Sequence, residues 1–213
     1  RDPAGITLVA VTKSRSPATI RAAYELGLRC FGENRVEEAE TKVPELPAEI
    51  AWHMIGHIQS RKARDVIRLF DFVHSVDSVK LVGELEKRAA AQDRIIPCLL
   101  EINTSGEVSK YGSAGSHGTG SADDSGVLAV AEALADAPHL RGDGLMTMAA
   151  LGASHDAARR SFRTLRMWRE SLAQRVPAGS WRHLSMGMTN DYEIAVEEGA
   201  TIVRIGRGIF EAT

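Results

Sequence analysis

Ile6-Thr7-Leu8-Val9-Ala10-Val11-Thr12-Lys13 is the stretch on which the reading of the fold turns. A short, nearly unbroken run of apolar and β-branched side chains, set off by Gly5 and closed by Thr12, predicts a buried strand. Ser16-Pro17 opens a helix directly afterwards. Serine supplies the cap, proline suits the first turn, and Ile20, Ala23, Tyr24 and Leu26 recur at helical period until Gly27 stops it. The unit is therefore strand, short loop, helix, with a lysine standing at the junction.

The unit repeats along the chain. Cys30-Phe31-Gly32 precedes a charged helix from Arg35 to Val43, and Ala51 to Ile55 precedes one from Ser60 to Leu69. Phe72-Val73-His74 leads to Val79–Ala91, and Ile95 to Ile102 leads to Val127–Leu134. Leu140 to Leu145 leads to a strongly periodic helix from Ala157 to Leu172. Arg182-His183-Leu184 leads to Asp191–Glu198, and Thr201 to Ile205 is the eighth strand. Repeated β-then-α units without a hairpin signal predict a parallel sheet covered on both faces. A count of eight favours a closed (β/α)8 TIM barrel, one α/β domain over residues 1–213, above an open doubly wound sheet. The fourth and seventh strands carry the weakest patterns. Gly112 to Gly126 (GSAGSHGTGSADDSG) interrupts the rhythm and reads as a flexible Gly/Ser-rich surface loop. It lacks the Gly-Lys-Ser/Thr ending of a phosphate-gripping loop.

Bulk properties narrow the function. The 213 residues are 44% hydrophobic and 25% charged, as expected of a soluble protein with a well-filled core. A formal net charge of −2 provides no broad basic field, so nucleic acid is not an expected partner. No apolar run approaches the roughly 18 residues that span a bilayer. Cys30 and Cys98 sit in apolar runs and read as small hydrophobes in a reducing, cytoplasmic compartment. The chain opens at Arg1, from which a trimmed N-terminus is expected.

In a barrel of this kind chemistry sits on the C-terminal ends of the strands and the loops that follow. Lys13 leaves a buried strand at the mouth, where partial desolvation would suit an amine nucleophile. A lysine paired with Glu33 is the equal alternative. Phosphate sites in such barrels use the loops after the last two strands, here Ser185-Met186-Gly187-Met188-Thr189 and Gly206-Arg207-Gly208. Ordinary glycine turns would look the same. Arg204 can point inward by alternation and present a permanent cation at the barrel mouth, or serve in a structural ion pair. His53 and His57 are four apart, but on a strand and turn without the Glu of a metalloprotease helix, so no metal is expected there.

Seven motifs in order are similar to one family. They are Val9-Ala10-Val11-Thr12-Lys13, Phe31-Gly32-Glu33-Asn34, Trp52-His53-Met54-Ile55-Gly56-His57-Ile58-Gln59-Ser60, and Asn103-Thr104-Ser105-Gly106-Glu107 with Ser109-Lys110. Gly144-Leu145-Met146-Thr147-Met148, Leu184-Ser185-Met186-Gly187-Met188 and Val203-Arg204-Ile205-Gly206 complete them. Together they resemble the pyridoxal phosphate homeostasis family, also called YggS-like or proline synthetase co-transcribed proteins. The resemblance implies a fold-type III barrel like the N-terminal domain of alanine racemase, with pyridoxal 5′-phosphate as a Schiff base on Lys13. It implies phosphate held by Ser185, Thr189 and the backbone of Gly206 and Arg207, with Arg204 facing the ring nitrogen and Asn34 beside the ring. His57, Asn103 and Met146 are implied as pocket lining, and Lys110 is left open as a second docking point. Three departures stand out: the family's helix before the first strand is expected to be missing, Gly112–Gly126 is longer than the usual turn, and the final residues leave the usual Ile-Phe-Gly ending.

Two functions remain from this reading. One is a cytoplasmic carrier that buffers and delivers the cofactor, with apo-enzymes as partners, no membrane, and a monomer expected over an obligate dimer. The other is an amino-acid racemase. A racemase of this fold needs a second acid/base, normally supplied by an additional domain and a dimer partner. The chain ends just after the eighth strand, and Tyr24, Tyr111 and Tyr192 fall on helices or a loop. An open cofactor face protects a carbanion poorly, so the carrier is favoured.

Overall fold

The computed structural model describes residues 2–105, 112–114 and 124–211. Strand β1 (Thr7–Val11) pairs in parallel with β2 (Cys30–Glu33), which continues through β3 (Ala51–Met54) and β4 (Phe72–Val76) to β5 (Ile96–Asn103). A two-residue strand, β6 (Ser113–Ala114), joins β5 at Ile102 and Asn103 outside this circuit. From β5 the circuit runs through β7 (Leu140–Met146), β8 (His183–Ser185) and β9 (Ile202–Ile205) back to β1, closing an eight-stranded parallel barrel.

Helices α1 (Pro17–Glu25), α2 (Val36–Lys42), α3 (Ala63–Leu69), α4 (Val79–Ala90), α5 (Ser125–Ala135), α6 (His155–Arg175) and α7 (Tyr192–Glu197) return the chain between strands. A single turn, α8 (Arg207–Phe210), follows β9. Ser16, Ser78 and Ser154 cap α1, α4 and α6 by accepting a backbone N–H three residues on, which satisfies a donor the helix itself leaves free. Both strands with weak patterns are present, and β4 runs on to Val76. Its polar residues His74 and Ser75 disguised it, because both are fully buried through partners that lie far off in sequence. β6 falls inside the stretch expected to be a loop. Residues 115–123 of that stretch, Lys110 and Tyr111 lie outside the described residues.

Strand alternation sorts the side chains into two shells. Ala10, Phe31, Val73, Leu184, Val203 and Ile205 face outward into the main core beneath the helices, which also holds Trp168 and Trp181. Val9, Leu99, Met146 and Ile202 form a separate cluster inside the barrel, flanked by Cys30, Phe72 and Met148. The inward set on β9 continues from Ile202 to Arg204, and that on β1 from Val9 through Val11 towards Lys13 at the rim. Cys98 is buried and Cys30 half-buried, both as free thiols.

One ionic cluster fixes the helix that follows the β8 loop. Arg159, Arg163 and Arg166, on one face of α6, all reach the enclosed carboxylate of Glu198 at the end of α7, at 2.9–3.3 Å. Burial pushes Glu198 up, but the hydrogen bonds from Arg159 and Arg163 outweigh it and hold the carboxyl below its ordinary range. A depressed carboxylate contributes stability above its unfolded pKa and loses it as pH falls through the folded value. Glu198→Gln should therefore lower unfolding stability by about 2 kcal/mol at neutral pH. Denaturant titrations should find the gap from the parent closing on acidification below about pH 4.

Candidate functional site

The C-terminal rim of the barrel collects three groups. The first is Lys13, which follows the buried Thr12 and is exposed at the mouth. The partial desolvation expected of it is not present, and neither is the pairing with Glu33. That carboxylate turns outward beneath α2, where its Oε1 accepts from Lys42 Nζ at 2.8 Å and from Thr12 Oγ1 at 2.6 Å. Thr12 and Glu33 lie on the outward parity of their strands, so a salt bridge with Lys13 would have to cross the barrel wall.

The second group is Arg204, enclosed to 3% exposure inside the barrel. Its guanidinium donates to Ser185 Oγ at 2.5 Å and to the Thr147 carbonyl at 2.9 Å. Burial lowers its pKa to about 10, with Glu101 and Asp191 opposing, so the cation persists at neutral pH. A guanidinium has no acceptor, so the link from Arg204 to Ser185 runs in one direction. Ser185 Oγ also pairs with His74 Nδ1 at 2.9 Å. The other ring nitrogen of His74 pairs with His53 Nδ1, also at 2.9 Å. His53 stacks on Phe72 in the barrel interior. Ser185, which sequence reading places on the phosphate, is fully buried, with its hydroxyl joined to Arg204 and His74. His53 and His74 were missed as partners because their sequence separation gives no sign that β3 and β4 bring them together.

The third group is the pair of loops after β8 and β9. Gly187 has φ +95°, and a Cβ there would lie 2.6 Å from Ala195 Cβ, so only glycine lets this loop fold onto α7. Arg204 N donates to Gly187 O, and Gly208 N donates to Thr189 Oγ1 at 3.3 Å, which draws Thr189 over the start of α8. Gly206 packs over Val11, where an added Cβ would lie 3.4 Å from the valine backbone oxygen. The β1–β9 register that pairs Ala10 with Ile205 thus sets Lys13 beside the 206–208 turn.

A cavity of about 590 Å³ opens beside this rim, lined by Asn34, Arg35, His57, Arg61, Glu101 and Met148 among others. Asn34 and His57 are brought close by Gly56, whose missing Cβ would fall 2.1 Å from Asn34 O. His57 Nδ1 lies 3.3 Å from Asp77. Asn103 accepts from Ser105 at the end of β5, and Met146 is fully buried in the inner cluster. Glu101 and Met148, both on this cavity, were not identified as site residues; alternation from Leu99 would have pointed to Glu101.

Comparison with known proteins gives this rim its context. The alanine racemase N-terminal domain family matches residues 3–213. The pyridoxal phosphate homeostasis protein of Pseudomonas aeruginosa is 41% identical over 214 residues, covering 100% of this chain and 86% of the relative. The chain belongs to the pyridoxal phosphate homeostasis protein family. A homeostasis protein from Pongo abelii is 36% identical over 95% of this chain and 75% of its own length. Among solved structures, PipY of Synechococcus elongatus without pyridoxal phosphate superposes with a TM-score of 0.90 at 35% identity, covering 98% of this chain and 94% of PipY. PipY with pyridoxal phosphate bound gives 0.85 at 34%, over 99% and 94%. Alanine racemase of Clostridium difficile shares the barrel alone, with a TM-score of 0.75 at 10% identity over 53% of that chain.

The interior histidines of this homeostasis-family barrel make its stability pH-dependent. Burial lowers His53 to about 4 and holds His74 well below the usual imidazole range. Above the ordinary value both folded and unfolded chains are neutral, whereas below it only the unfolded chain takes up the protons. Stability should fall from about pH 6.5 towards pH 4, by about 1.4 kcal/mol per pH unit for each histidine. Urea titrations across that range should show a shallower slope for His53→Gln.

Proposed function

We propose that this chain binds pyridoxal 5′-phosphate at the barrel mouth as a Schiff base on Lys13, and acts as a monomeric cytoplasmic carrier that buffers the cofactor and delivers it to apo-enzymes. The observation that carries this reading is the meeting, on one rim, of an exposed amine, an enclosed permanent cation and a glycine-lined turn capped by a hydroxyl. Membership of the family, and the binding of pyridoxal phosphate by PipY, support it. Among the described residues no helix is long and apolar enough to cross a membrane.

The residues fit the group. Close approach at Gly206 and Gly208 leaves room for an anion only where no Cβ stands, since a Cβ on Gly208 would meet Ile205 and Thr189 at 3.2–3.3 Å. Ser185 and the backbone of Gly206 and Arg207 would hold the phosphate, joined by Thr189 Oγ1. Arg204 would direct a donor at the ring nitrogen and, remaining charged, leave that nitrogen unprotonated. Asn34 would stand beside the ring, His57 and Asn103 would line its surroundings, and Met146 would close the floor. When bound, pyridoxal phosphate supplies an aldehyde that condenses with amines and a ring that withdraws electrons. A cationic partner at the ring nitrogen weakens that withdrawal, which suits storage better than turnover. Tyr24 on α1 lies under the Arg29 guanidinium, and the Tyr192 hydroxyl on α7 lies 3.4 Å from Glu193.

Lys13→Ala should abolish the borohydride-trapped adduct and the visible absorption of the loaded protein while leaving thermal unfolding unchanged. An adduct on another lysine would move the attachment point. Thr189→Val should weaken cofactor affinity roughly tenfold, the loss of about one charge-assisted hydrogen bond. Following amino-acid chirality in the loaded protein decides between functions: sustained racemisation would overturn the carrier, and faster transfer to an apo-enzyme than free release would support it.

A further inference from the structure

We infer that Glu38 and Lys42 of α2 are positioning residues for Lys13, gripping the backbone on either side of it from behind the barrel wall. The inference rests on Lys13 as the attachment point and names the device that aims its amine. Lys42 Nζ donates to the Thr12 carbonyl at 2.9 Å, immediately before Lys13. Glu38 Oε2 accepts from Ser14 N at 2.8 Å, immediately after it. The two side chains are one helical turn apart and joined to each other at 2.8 Å, so the clamp is a single unit.

Three further observations give the clamp its purpose. Ser14 has φ +59°, a left-handed conformation that is uncommon for serine and that the bond to Glu38 helps to hold. Arg15 N returns to the Thr12 carbonyl at 3.0 Å, so Thr12 to Arg15 form a tight turn that is tied to α2 at the Thr12 carbonyl and the Ser14 amide. Lys42 is itself fixed by Glu33 at 2.8 Å, and the other oxygen of Glu33 is buried without a hydrogen-bond partner. That carboxylate is enclosed and committed to the clamp, with no route to the barrel mouth. None of these groups touches the Lys13 amine, which makes no ion pair with a described residue.

The chemistry needs such control. In the condensation the neutral amine adds to the aldehyde carbon, and its two hydrogens leave with the carbonyl oxygen as one water. An amine on a four-carbon stem reaches that carbon at a useful rate only if its Cα is fixed relative to the phosphate turn. The clamp fixes it, without entering the site.

Glu38 is the residue to change, because its side chain is 29% exposed and its loss leaves the Lys42–Glu33 pair in place. Glu38→Ala should slow borohydride-trapped attachment of pyridoxal phosphate at Lys13 roughly tenfold and speed hydrogen exchange at the Ser14 amide. Affinity for pyridoxine 5′-phosphate, which has the ring and phosphate but no aldehyde, should be unchanged. Glu38→Gln, whose amide oxygen can still accept from Ser14 N, should recover most of the rate. Attachment by Glu38→Ala at the parent rate, no rescue by glutamine, or an equal fall in pyridoxine 5′-phosphate affinity would each overturn the clamp and leave the carrier reading standing. Absence of any Lys13 adduct in the parent protein would instead remove the carrier reading, and the clamp with it.

Discussion

A permanent charge enclosed in a barrel must be matched by acceptors, and the upper interior of this protein is arranged around that demand. Arg204 cannot shed its proton at neutral pH and is almost wholly removed from solvent. Ser185 on β8 and the Thr147 carbonyl after β7 supply its acceptors, and His74 and His53 on β4 and β3 complete the chain. Strands from opposite sides of the barrel are thereby joined by a few hydrogen bonds across its centre. Packing alone, through Val9, Leu99, Met146 and Ile202, fills the layer beneath.

Much of this was legible in the sequence because it depends on local periodicity. Alternation in Ile202-Val203-Arg204-Ile205 is enough to turn Arg204 inward, and the apolar run before Lys13 is enough to bring that lysine to a rim. Most of the strand–helix alternation was visible too, because most units carry their own start and stop signals, with the fourth and seventh strands the faintest. What the sequence hid depends on which residues meet across the closed sheet. Nothing in the Ser-Met-Gly-Met-Thr segment shows that Ser185 meets Arg204 and His74. Glu33 looks like a counter-charge for Lys13, and only strand parity sends it to the far side of the wall.

Two sets of buried charge thus serve the same rim from different sides. Inside the barrel, Arg204 faces the space where the cofactor ring is proposed to lie. Outside it, the Lys42 ammonium is shared between Glu33 and Glu38, and its hydrogen bonds end on the main chain around Lys13. Neither set is a surface ion pair of the kind that contributes little, because Glu33, Lys42 and Arg204 are all less than a tenth exposed. Breaking one partner would strand the other in a low-dielectric setting, which makes the geometry of the rim hard to deform.

The donor-only character of Arg204 has a consequence for acid–base traffic. A wire that relays protons must be able to reverse every link, and the link from Arg204 to Ser185 runs one way only. A proton held on His53 or His74 therefore cannot be handed on through the guanidinium, whichever tautomers the two imidazoles adopt.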